Sequence, residues 1–69
     1  MNDTITITLP MEQAIRILEA LETQISTYQS YVNREKRPTS IGLWKLMVEE
    51  TKQAHDTTQE AVSEATADL

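Results

Sequence analysis

The sequence predicts a mostly α, α+β fold: one short N-terminal strand followed by an antiparallel two-helix hairpin, with the strand paired across a homodimer. Three observations carry this. Residues 4–9 alternate between polar and apolar side chains, apolar residues recur at helical spacing from Met11 onward, and a polar, proline-containing break at 33–40 separates that stretch from a second apolar-rich segment. The whole chain of 69 residues then reads as a single small domain, 1–69, with strand 4–9, helix 11–32, loop 33–40 and helix 41–65.

The strand rests on Thr4-Ile5-Thr6-Ile7-Thr8-Leu9. A period of two puts Ile5, Ile7 and Leu9 on one face and three threonines on the other. Pro10 ends strand pairing and suits the first turn of a helix. No second run of this kind occurs in the chain, and the backbone groups of a lone strand need a mate. A symmetry-related copy is the first source of one, and another protein's sheet edge is the second. Without either the segment stays irregular.

From Met11 the period changes. Met11, Ala14, Leu18, Leu21, Ile25, Tyr28 and Val32 follow a 3-4-3-4-3-4 spacing, the mark of a helix with one apolar seam. Ile15 and Ile17 widen the seam near its start. Asn33, Pro38, Thr39 and Ser40 then break the pattern, and the short polar pair Thr39-Ser40 is suited to cap the next helix. That helix opens with Ile41, Leu43, Trp44, Leu46, Met47 and Val48, apolar on nearly every side, while Gly42 lowers its local propensity. Beyond Glu49 large apolar residues thin out. A short loop between two helices favours an antiparallel hairpin.

Size and composition narrow the function classes. A domain this small buries about 60% of its unfolded surface, so stability is marginal and association is expected to be part of the fold. Cysteine is absent, which removes disulfides, thiolate metal ligands and a cysteine nucleophile. The single histidine, His55, has Asp56 beside it but no second histidine at helical spacing, and the single glycine excludes a glycine-rich phosphate loop. The expectation is therefore a non-enzyme with no catalytic residues, no metal and no cofactor. No Lys or Arg precedes Arg16, and the longest apolar run is Leu46 to Val48. Both argue against a secretory signal or a membrane span of roughly 20 residues, and so for a cytoplasmic protein without membrane contact.

Charge is unevenly spread. Six Lys and Arg stand against eleven Asp and Glu, for a net charge of −5, which disfavours general binding of polyanions. Within that surplus, residues 33–40 hold three basic side chains and one acidic, a net of +2. Arg34, Lys36 and Arg37 beside Thr39 and Ser40 at a helix start form a candidate anion or partner-binding site, since free helix N–H groups and cations favour phosphate. Asp56, Glu60, Glu64 and Asp68 recur every four residues and line one helix face. Like charges at that spacing repel by a few tenths of a kcal/mol per pair, so the ladder is a candidate face for a basic partner. Ile5, Ile7 and Leu9 with Leu18, Leu21 and Ile25 are the candidate oligomer contacts.

The run TITITLP ahead of two helices, with PTS where a phosphate-contacting helix start would lie, resembles the ribbon-helix-helix repressors and antitoxins. That resemblance implies a dimeric DNA-binding regulator whose paired strands enter the major groove. This chain departs from the pattern in its longer first helix and in having no basic residue on the strand to read base edges. A further alternative is a binder of a small phosphate or nucleotide anion at the basic loop. The reading the residues favour is a small protein-interaction module, a homodimer with an unidentified protein partner, acting by binding or steric blockade. In type it resembles accessory or inhibitor proteins of mobile elements, including those that block host defence complexes.

Overall fold

A computed structural model describes residues 3–67. Two helices form an antiparallel hairpin: α1, Met11–Arg34, and α2, Pro38–Ala67. The molecule is elongated, 47 × 29 × 16 Å, as expected for two long rods side by side.

α1 begins where the change of period places it. Pro10 is its N-cap, and the Pro10 carbonyl accepts the N–H groups of Gln13 (3.0 Å) and Ala14 (3.2 Å). Glu12 in the first turn and Arg34 in the last both suit the helix dipole. All seven seam residues, Met11 through Val32, are half-buried against α2, while Ile15 and Ile17 on the flanks are exposed. The helix runs two residues past the expected end at 32, and its last turn closes when the Glu35 N–H donates to Tyr31 O (2.9 Å).

The expected loop of 33–40 is corrected to three residues, Glu35, Lys36 and Arg37. Proline decides this boundary. Pro38 disfavours helical geometry in the residue before it, yet is itself pre-set for the first helical position, where no N–H is needed. Thr39 and Ser40 therefore lie inside the first turn of α2 instead of capping it. Glu35 takes the capping part, accepting the N–H groups of Lys36 (3.0 Å) and Arg37 (3.1 Å) on Oε1. Ile41 N–H then donates to Arg37 O (3.0 Å), the first helical bond of α2.

α2 carries a seam that matches that of α1. Ile41, Trp44, Val48, Thr51, His55, Thr58 and Val62 repeat the 3-4-3-4-3-4 spacing, and all seven are buried or half-buried. Three of them are polar, which hides the repeat from a hydrophobic pattern. Thr51 and Thr58 are accommodated because each hydroxyl donates to a carbonyl one turn back, Met47 O (2.7 Å) and Ala54 O (2.8 Å). Val48 (6% exposed) and Thr51 (9%) are the only buried side chains among the described residues. The interface is thus a half-covered seam more than a closed core.

The expected strand at 4–9 is not present. Residues 3–10 have no regular secondary structure and no strand pairing, with Ile5 85% and Ile7 65% exposed. The reason is the one that made the strand conditional: two helices satisfy their own backbone groups and offer no edge to pair with. The segment instead lies beside the far end of the hairpin. There Ile5, Thr6, Ile7 and Leu9 share a groove with Met11, Ala14 and Ile17 of α1 and with Thr57, Thr58, Ala61, Val62 and Ala65 of α2.

Candidate functional site

The loop end of the hairpin is held by every aromatic side chain the sequence has. Trp44, nearly two turns into α2, stacks on Tyr28 (ring centroids 5.7 Å apart, planes at 26°) and meets Tyr31 at a tilt (4.8 Å, 54°). Such pairs contribute about 0.5–1.5 kcal/mol beyond the area they bury. Gln24 Nε2 donates to Tyr28 Oη (2.9 Å), fixing the ring from the preceding turn. Arg34 lies with its guanidinium over the Tyr31 ring, 5.5 Å from the centroid.

These contacts divide the basic cluster. Arg37 turns onto Glu35, donating from Nε to Oε1 (3.2 Å) and from Nη2 to Oε2 (3.4 Å). That guanidinium, with the two backbone N–H groups, pushes the Glu35 carboxyl down from 4.5 to about 2, and Arg37 in turn is raised. Arg34 belongs to the aromatic cluster, Lys36 and Thr39 are exposed, and Ser40 is half-buried. Of the five residues expected to gather round an anion, Arg34 and Arg37 thus have partners within the hairpin.

The acidic ladder runs along α2. Asp56, Glu60 and Glu64 are exposed along α2, and Asp68 lies outside the described residues. His55 beside it sits in the seam, 3.5 Å by Nδ1 from Asp56 Oδ1 and 3.4 Å by Nε2 from Glu22 Oε1. The second contact is not aligned as a hydrogen bond, and Nε2 is buried without a partner. Of the expected oligomer contacts, Leu18, Leu21 and Ile25 are half-buried on the side of α1 that faces α2, and Ile5, Ile7 and Leu9 line the far groove.

Sequence reasoning missed the outer side of α2. Leu43 (60% exposed), Leu46 (53%) and Met47 are large apolar side chains open to solvent. Further along the same side follow Glu50, Ala54, Thr57, Ala61 and Ala65, all exposed. Ile17 of α1 reaches the same side, since it shares the groove with Thr57, Ala61 and Ala65. The signal was the 4-3-4-3-4-4 spacing of 43, 47, 50, 54, 57, 61 and 65, obscured because alanine is a weak hydrophobe in any pattern.

Among the described residues no helix is long and apolar enough to cross a membrane, and no three His, Cys, Asp or Glu side chains converge to hold a metal ion. No protein-family model, curated protein or solved structure matches the chain.

Proposed function

We propose that this chain is a non-enzymatic association module that acts by covering the surface of another macromolecule, a protein in the first instance. The observation that carries the reading is the incomplete core: among the described residues one apolar side chain, Val48, is buried, while Leu43, Leu46, Met47, Ile5 and Ile7 are left in water. Burying apolar area contributes about 25 cal/mol per Å², so these side chains gain most when another surface covers them. Large exposed apolar patches on small proteins mark sites of interaction. Steric blockade is then the mechanism, with the acidic ladder of α2, Asp56, Glu60 and Glu64, favouring a basic target over an acidic one.

The test compares the full chain with its Leu46→Glu variant as bait in nuclease-treated source lysate, both checked for helicity. Retention of a defined protein by the parent chain and its loss from the variant is expected. Retention only of further copies of the chain overturns the blockade reading. So does retention that requires intact nucleic acid and weakens steeply with salt, which favours a DNA-binding regulator instead.

A further inference from the structure

We infer that the outer side of α2 is the contact between two copies of this chain, packed α2 against α2 in antiparallel fashion about a two-fold axis at Ala54. The inference rests on the association reading above and names one partner for it.

Area gives the first argument. The chain exposes 5776 Å², whereas a compact monomer of this mass exposes about 4,400 Å². The excess, about 1,400 Å², is larger than the roughly 800 Å² each partner gives to a standard interface. The exposed large apolar side chains stand on the N-terminal segment (Ile5, Ile7, Leu9), on α1 (Ile15, Ile17) and, most numerous on one helix, on α2 (Leu43, Leu46, Met47).

Shape gives the second. The outer side of α2 is bulky near its start, at Leu43 and Met47, and small near its end, at Ala61 and Ala65. Antiparallel pairing about Ala54 sets Leu43 opposite Ala65 of the partner subunit and Met47 opposite Ala61 of the partner subunit. Large side chains then enter the groove of about 480 Å³ that Ile7, Ile17, Ala61 and Ala65 help to line. Parallel pairing sets bulk on bulk and leaves that groove unfilled. At the axis two alanines allow the helices to approach to about 8 Å, the close end of helix packing. Glu50, the one charged residue in the row, falls beside a hydroxyl, Thr57 of the partner subunit.

Charge gives the third. The basic loop, with Lys36 and Arg34, stands at the start of α2, and Glu60 and Glu64 stand toward its other end. Antiparallel pairing opposes the two helix dipoles and keeps the two basic loops, and the two acidic rows, at opposite ends of the pair. Parallel pairing sets loop on loop and ladder on ladder.

Sedimentation of the full chain and disulfide trapping test this together. The parent chain is expected to be a dimer at micromolar concentration, and Met47→Glu is expected to weaken dimerisation by about 100-fold or more, with helicity kept. The chain has no cysteine, so Ala54→Cys carries a unique thiol. At the axis two such thiols lie within the roughly 4.4–6.8 Å Cα separation a disulfide requires, and mild oxidation yields a covalent dimer. Gln59→Cys, exposed on the other side of α2, stays monomeric under the same oxidation. A folded monomer at about 100 μM, or Gln59→Cys linking as readily as Ala54→Cys, overturns the inference. A monomer that still captures another protein leaves the association reading standing, while a dimer that captures nothing removes the blockade and keeps the interface.

Discussion

The two ends of the hairpin are built by opposite means. At the loop end three aromatic rings interlock, a three-residue link joins the helices, and Glu35 ties down the link's backbone. At the far end Ala14, Thr58, Ala61 and Ala65 leave room between the helices and the N-terminal segment, and α1 starts without a side-chain cap. Large rigid side chains fill space and fix geometry, whereas small ones lose contacts that only another surface restores. One end is thus filled by the chain's own side chains and the other is left open.

The contrast is sharpest when the rings are removed. Trp44→Ala deletes the side chain that touches both tyrosines and is expected to cost about 3 kcal/mol, most of the stability a domain of this size has. Val62→Ala at the far end costs about 1 kcal/mol. Thermal unfolding followed by circular dichroism at one fixed protein concentration compares them, and equal losses dissolve the distinction.

Midway between the ends, His55 sets a buried Nε2 in the seam without a hydrogen-bond partner. Replacing it by leucine removes an unsatisfied group and adds apolar contact, so His55→Leu is expected to stabilise by about 1–2 kcal/mol. In a domain of this size each kcal/mol raises the melting temperature by roughly 4–8 °C. An unchanged or lower value means the contact to Glu22 matters more than its geometry suggests.

Gly42 gives a smaller gain. A Cβ added there meets nothing within 4 Å, so the glycine permits no close approach inside the hairpin. Gly42→Ala is expected to raise stability by about 0.5–1 kcal/mol through helix propensity alone. A loss instead points to a second surface pressed against this position.

The smallest effect belongs to Glu35, because its partner Arg37 is exposed and solvent screens the pair. Its carboxyl is held at about 2 in the hairpin against 4.5 ordinarily. A depressed acid contributes its stability above the ordinary value and loses it as pH falls from about 4.5 toward 2. Acid titration of the parent chain and Glu35→Gln should therefore diverge above pH 4.5 and converge below it. Parallel curves throughout mean that the cap does not contribute.

Much of this was legible in the residues. α1 was readable because seven apolar side chains sit at helical spacing without an exception, and Pro10 marks its start. The break near Pro38 was legible but its width was not, since the proline's preference for the first helical position was given less weight than the capping habit of Thr39 and Ser40. The seam of α2 escaped notice because Thr51 and Thr58 become core residues only once their hydroxyls bond the preceding turn. The period of two at residues 4–9 was real, but a strand is a relation between two segments and the hairpin supplies only one.

The sequence by itself determined two helices, their antiparallel order and the place of the break between them, because period, proline and chain length act locally. Only the tertiary structure decided which polar residues enter the seam, that Arg37 pairs with Glu35, and that Leu43, Leu46 and Met47 stay outside. Those outcomes depend on the distances between side chains on two different helices, and no spacing along one chain encodes them.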